Sequence, residues 1–389
     1  MRPLSFIGFL LVGLIWANSV AAQGELPLSA PLIGLNSVDQ DRIILYDVQN
    51  NYYRELNFGT EAHWLWDFSP DGCQILFSLG QHPAAKLYLA DLKGRAIYPL
   101  LTYPDLADSQ WGVWDVSWSP DGQRIAFVMY RQQDGKQLTH IAWVDAAGGV
   151  PQFYSATGSE YEPRWSADGQ KIAYISYTDR AAGADLFSTA VPTLQPLPGQ
   201  TPTAPTLLSE ADIWVVNADG SDKFKLTDFQ TGTVSKARWS PDGELMAFIF
   251  SPSPSNDTVW MIGTSPGALP TQLTLQWSLA LDLTWMPDGT EILASLRDFK
   301  EIQQNQLWRL PLIPPSDEGA QLYRDDLSLQ YADYPRFDGS GEWLALRSAY
   351  TLQLVNHLSG VSHQLEPIAI GNTPPIWAPT RFEGEENCS

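Results

Sequence analysis

Little in this sequence suits metal or thiol chemistry. Two cysteines in 389 residues exclude cysteine-built zinc sites and iron–sulfur clusters. The five histidines, His63, His82, His140, His357 and His363, include no pair at the His-Glu-x-x-His spacing of a zinc protease. His357 and His363 fall on consecutive strands and read as surface residues rather than ligands. Neither a phosphate-cradling loop nor a dinucleotide fingerprint is present. Lys and Arg are scarce, 23 against 44 Asp and Glu, for a formal charge of −21. Nucleic acids and anionic membrane surfaces need clustered cations and are therefore excluded as partners. Beyond the N-terminus no apolar run is long enough to cross a bilayer. Gly263-Thr264-Ser265-Pro266-Gly267 matches the nucleophile elbow on paper. An elbow needs a strand entering a helix, and this segment sits in a turn between strands. No catalytic residue, metal or cofactor is assigned.

What is abundant points to strands and turns. Gly 29 and Pro 29 supply many turns, and Trp 16, Tyr 15 and Phe 15 supply large apolar surface. The N-terminus reads as an export signal: Arg2, an apolar run from Phe6 to Trp16, then Val20-Ala21-Ala22 with cleavage expected before Gln23. Residues 1–22 are thus a signal peptide and 23–389 one domain, bound for the periplasm or the cell exterior and expected to be monomeric.

A phrase recurs along that domain. It reads Phe68-Ser-Pro-Asp-Gly72, Trp118-Ser-Pro-Asp-Gly122, Trp165-Ser-Ala-Asp-Gly169, Trp239-Ser-Pro-Asp-Gly243 and Trp285-Met-Pro-Asp-Gly289. A degenerate copy is Phe337-Asp-Gly-Ser-Gly341, and Ile376-Trp377-Ala-Pro379 is a last fragment. The aromatic anchors are spaced by 40 to 52 residues, apart from one interval of 74, a period within the range of propeller blades. Pro presets the turn, Asp binds its backbone, and Gly takes the left-handed position that leads into the next strand. Short apolar strands follow at once, such as Arg124-Ile-Ala-Phe127 and Lys171-Ile-Ala-Tyr174.

The Trp-Ser-Pro-Asp-Gly phrase with Ile-Ala-Phe after it, and Ile213-Trp-Val-Val-Asn-Ala-Asp-Gly220 with Lys225-Leu-Thr227 after it, resemble the WD40-like repeat of the TolB family. The resemblance spans nearly the whole mature chain and implies an all-β propeller. About seven four-stranded blades are expected. The C-terminal strand at Ile376 should join three N-terminal strands, Leu32–Leu35, Arg42–Tyr46 and Tyr53–Leu56, in a shared blade that leaves no open edge. A Pro/Thr-rich loop at about 189–208 fills the long interval.

Acids precede several anchors by three or four residues: Asp115, Glu162, Asp282 and Asp333. They are the candidate ligand-binding residues, an acidic ring at the channel mouth for a cation or a basic peptide. The functional expectation is an exported, non-catalytic scaffold that binds a protein or peptide through the channel mouth or one face. The alternatives are a propeller enzyme, such as a polysaccharide lyase of the oligogalacturonate type with a histidine-held metal, and a carbohydrate-binding or sensor domain using Trp64, Trp66, Trp111 and Trp114. Most of these tryptophans read as interblade core. Cys73 and Cys388 are a candidate disulfide. Cys73 follows a Pro-Asp-Gly turn next to the shared blade, and about nine extended residues carry the chain from Pro379 to Cys388.

Overall fold

The repeated phrase closes the same turn each time. Ser69, Ser119, Ser166 and Ser240 each donate their hydroxyl to the aspartate two residues on, at 2.5–2.6 Å. Gly72, Gly122, Gly169, Gly243 and Gly289 adopt φ between +69° and +75°, which glycine tolerates and a Cβ resists. The degenerate copy swaps the roles: Ser340 donates to Asp338, whose carboxylate accepts the Trp343 N–H. Each turn hands the chain from an innermost strand to the second strand of its sheet.

In this computed structural model, residues 26–388 are described apart from 82–83, 103–110, 134–135, 156, 179–209, 254–255, 276, 299–304, 325–330, 349–350 and 366–369. The segment 1–22, expected to be a signal peptide, and the loop expected at about 189–208 lie outside the described residues. Among the described residues the secondary structure is strand, with two short 3-10 turns. No helix there is long and apolar enough to cross a membrane.

Five sheets have four strands each. From the innermost strand outward they run His63–Phe68, Gln74–Leu79, Lys86–Asp91, Ile97–Pro99; then Trp111–Trp118, Arg124–Gln133, Lys136–Asp145, Gln152–Phe153. Next come Trp277–Trp285, Glu291–Asp298, Gln306–Pro311, Gln321–Leu322, and Ala332–Phe337, Trp343–Ser348, Thr351–Asn356, Ser362–Leu365. The fifth is Ile376–Trp377, Leu32–Asn36, Ile43–Asp47, Tyr52–Leu56. The expectation of seven separate four-stranded blades is thereby corrected to five. The strands anchored by Trp165 and Trp239 form one eight-stranded sheet, because Ala211 pairs in parallel with Thr233. The Gly232 carbonyl accepts the Ala211 N–H at 3.1 Å beside that bridge, and Gly232 itself must be glycine, since a Cβ on it would lie 2.7 Å from the carbonyl oxygen of Ser251 on the next strand.

The ring closes through the shared sheet. Gly34 pairs with Ile376 and Ile33 with Trp377, and Ile376–Trp377 contacts the His63–Phe68 strand. Hydrophobic clusters fill the spaces between successive units; one joins Leu32, Ile43 and Leu45 to Phe68, Ile75 and Phe77. Another joins Ala126 and Val128 to Trp165 and Tyr174. The anchor tryptophans add a directional bond to this packing. Trp165, Trp239, Trp285 and Trp377 each donate the indole N–H to a backbone carbonyl of the preceding innermost strand, that of Ser117, Arg164, Arg238 and Arg336, at 2.9–3.2 Å. A buried Trp thus fills the seam and satisfies its one polar atom there.

Past the closing strand, the chain returns to the shared sheet's outer side. Ser29 bridges Gly384, and Glu385 accepts hydrogen bonds from Arg54 through both oxygens, at 3.0 Å each, and from the Leu28 N–H at 3.0 Å. Cys388 is bonded to Cys73, with Cα atoms 5.4 Å apart. Ser265 lies in the turn between Asn256–Gly263 and Thr271–Gln272, where its carbonyl accepts the Ala268 N–H. No helix follows it, so it has no elbow geometry.

Candidate functional site: the central channel

The innermost strands are not regular. Their pairing register shifts between Trp114 and Ser117, Tyr161 and Arg164, Ser235 and Arg238, and Asp333 and Arg336. Within these bulges Asp115, Glu162, Lys236 and Tyr334 take φ of +46°, +53°, +55° and +52°. Left-handed backbone costs a residue with a Cβ about 1–2 kcal/mol. Bulges are a device for re-aiming side chains, and here they bring the residue three before each anchor, and the one just before it, to the axis.

The result is a cavity of about 910 Å³ at the ring's centre. One wall carries Trp64, Trp66 and Trp114. Trp64 and Trp66 stack with centroids 6.4 Å apart, and Trp114 meets Trp66 edge-on at 5.9 Å. The other wall carries Glu162, Arg164, Lys236, Arg238, Asp282 and Arg336, with Asp67 and Asp115 between the two. Of the expected acids, Asp115, Glu162 and Asp282 therefore share this cavity. Asp333 does not line it; its carboxylate is bound by Asn305 Nδ2 at 2.6 Å and by Arg347 at 2.7 Å.

The expected acidic ring is corrected to a charge-compensated one. Arg164 pairs with Asp115 at 2.8 Å. Asp282, whose side chain is 1% exposed, lies between Arg336 at 2.7 Å and Arg238 at 3.3 Å. Glu162 accepts the Lys236 backbone N–H at 3.1 Å. Among the described lining residues four carboxylates face four cations, so their formal charges cancel. The acids stand out in the sequence, whereas the arginines that pair with them do not. Arg164, Arg238 and Arg336 each stand directly before an anchor, so the signal was one more position in the same register.

Burial and charge pull these groups in opposite directions. Burial raises the Asp282 carboxyl, but Arg336, Arg238 and Lys236 outweigh it and hold it at about 2. Burial pushes the Asp67 carboxyl up to about 6, although it accepts the N–H groups of Trp118 and Phe68. Burial lowers Arg238 to about 10, which leaves it cationic at neutral pH. A carboxylate with a depressed pKa stabilises the fold above its unfolded value near 4 and loses that contribution as pH falls toward 2. For Asp282 this is on the order of 2–3 kcal/mol. Asp282→Asn is expected to lower the urea midpoint at pH 7. It should also flatten the loss of stability between pH 4 and pH 2, and parallel pH profiles for parent and variant would contradict that role.

The remaining candidates for chemistry are structurally occupied. Glu210, Asp212 and Asp228 bring carboxylate oxygens close enough to share a metal ion. Lys225 Nζ already sits among them, 3.1 Å from Glu210 and 2.9 Å from Asp212. Burial opposes this, but the three carboxylates raise the lysine above its ordinary pKa. His63 accepts the Phe58 N–H, His140 lies 3.7 Å from Glu160, His357 bonds the Tyr323 hydroxyl and His363 stacks on Trp343. His82 lies outside the described residues. Among the described residues the histidines do not converge, and they do not fit a histidine-held metal. Ser155, Glu160 and His140 do meet, but the serine donates to the glutamate rather than to the histidine, the reverse of a catalytic triad. Trp111 is 7% exposed and belongs to the interblade core.

No protein-family model and no curated protein matches the sequence. Solved structures do match in fold. TolB from Acinetobacter baumannii aligns at 17% identity with a TM-score of 0.50, over 87% of this chain and 79% of that one. An oligogalacturonate lyase in complex with manganese aligns at 14% with a TM-score of 0.54, over 85% and 89%. The tricorn protease aligns at 11% with a TM-score of 0.58, over 91% of this chain but 34% of its own length. The fold is that of a TolB-like β-propeller, and the matching structures include TolB, a lyase and a protease.

Proposed function

We propose that this chain is an exported, non-catalytic scaffold that receives a peptide segment of a protein partner in its central channel. The observation that carries this reading is the two-sided cavity, with three tryptophans on one wall and a built network of charges on the other. Indole faces accept apolar side chains and backbone alike at low entropic cost. The bulged, left-handed residues that aim the charges store strain, which marks functional sites more often than scaffolding. Against an enzyme stand the dispersed histidines and the lysine among the three carboxylates, so that the described residues offer neither a free metal-ligand cluster nor an activated nucleophile. The export signal and the likeness to TolB support a periplasmic or extracellular setting.

Panning the mature protein against a random-peptide display library tests the reading. Enriched peptides should bind the parent and lose at least about tenfold in affinity against Trp66→Ala/Trp114→Ala. Peptides that bind both proteins equally, or no enrichment at all, would reject the channel as a peptide site.

A further inference from the structure

The channel's cations are not equivalent. Arg164 is held by Asp115, and Arg238 and Arg336 converge on Asp282. Each of these arginines also donates to the carbonyl of the residue before it. Lys236 differs. Its backbone N–H is bound by Glu162, but its ammonium has no hydrogen-bond or ion-pair partner among the described residues. It occupies the same bulge position as Asp115 and Glu162, with left-handed backbone, and it lines the cavity within the field of Asp282 and Glu162. A lysine can reach out from such a position, because its charge is a point on a flexible stem and needs no fixed geometry.

The surroundings favour an anion at this ammonium. A basic ligand would have to compete with arginines already bonded to Asp115 and Asp282 and with Arg238 4.0 Å from Glu162, and would meet the Lys236 ammonium, which no ion pair among the described residues holds. An acidic ligand group meets an unpaired ammonium without displacing any pair.

Resting on the peptide-binding reading above, we infer that the segment taken into the channel is acidic, with an aspartate or glutamate carboxylate on Lys236 Nζ and a neighbouring aromatic or large apolar side chain against Trp66 and Trp114. The preference expected from the acids ahead of the anchors, for a basic peptide, is thereby inverted.

Three fluorophore-labelled, end-blocked peptides test it: Gly-Trp-Gly-Asp-Gly and its Asn and Lys counterparts, titrated by anisotropy at low and moderate salt. The Asp peptide should bind about tenfold or more tightly than the Asn peptide, as expected for a charge-assisted hydrogen bond. That preference should shrink as salt rises. Lys236→Met should abolish the difference while the Asn peptide keeps its affinity, and Lys236→Arg should restore it; circular dichroism checks that both variants fold. Equal binding of Asp and Asn peptides to the parent, or tighter binding of the Lys peptide, overturns the acidic preference and leaves channel binding standing. Failure of all three to bind overturns the peptide reading itself, and this inference with it.

Discussion

Glu385→Ala is expected to destabilise the protein by about 3–5 kcal/mol, the range for breaking one side of a buried ion pair. Both side chains are nearly inaccessible, at 4% for Arg54 and 6% for Glu385. Arg54 spends its donors on the Glu385 carboxylate and on the carbonyls of Leu92 and Leu26. Removing Glu385 leaves a guanidinium buried without its counter-charge. The loss is larger than a surface pair would give, because solvent cannot repay it. The pair also has a pH signature. Burial raises the Glu385 carboxyl, but Arg54, the Leu28 N–H and Lys93 outweigh it and hold it below the ordinary glutamate range. Its contribution is therefore present at neutral pH and lost as pH falls below about 4. Urea unfolding followed by tryptophan fluorescence should show this for the parent and not for Glu385→Ala. The double variant Arg54→Met/Glu385→Leu should recover much of the loss, since an apolar pair of similar volume removes the stranded charge. A single variant within about 1 kcal/mol of the parent would mean the C-terminal segment does not hold the ring.

Reducing the Cys73–Cys388 bond is expected to cost up to about 5 kcal/mol in the chain-entropy view. The two residues are 315 apart in sequence, so the bond constrains most of the unfolded chain. Cys73 sits at the exit of the first Ser-Pro-Asp-Gly turn and Cys388 beyond Glu385, so the bond and the Arg54 pair fasten the same segment. Thiol titration of unreduced, denatured mature protein should find no free thiol, and two after reductant. Two thiols without reductant would rule the bond out. Cys73→Ser/Cys388→Ser should reproduce the effect of reduction; if it is instead as stable as the oxidised parent, the ring closes on hydrogen bonds and packing alone.

How much of this was legible in sequence depends on whether a feature repeats. The anchors Trp118, Trp165, Trp239 and Trp285, their turns and the following strands recur at blade spacing, so the propeller could be read directly. The closing pairing of Ile376 with Gly34 followed from counting strands at the two ends. The merger through Ala211 and Thr233 could not be read, since it hangs on one bridge beside Gly232. Nor could the Arg54–Glu385 pair, which joins residues 331 apart with no periodic signal. The acids of the channel were visible because carboxylates stood out near the anchors. Their neutralisation was not, because Arg336 reaches Asp282 across a seam between sheets, and strand alternation alone says nothing of pairs across a seam. Bulges then placed the residues three before and one before the anchor on the same axis, which strict alternation would also allow for those two but not for Asp333.

The bond between Cys73 and Cys388 has a topological consequence. From Cys73 the main chain passes through every sheet in turn and comes back beside its starting point, where the bond seals it. The channel is thus encircled by an unbroken covalent hoop. Sheets in such a ring stay linked to their neighbours on both sides even when a seam between them opens. A long chain can enter such a hoop only through one of its mouths. A long polymer held there would have to find a free end, or fold a loop narrow enough to pass, whereas in the reduced protein only hydrogen bonds and packing complete the circle.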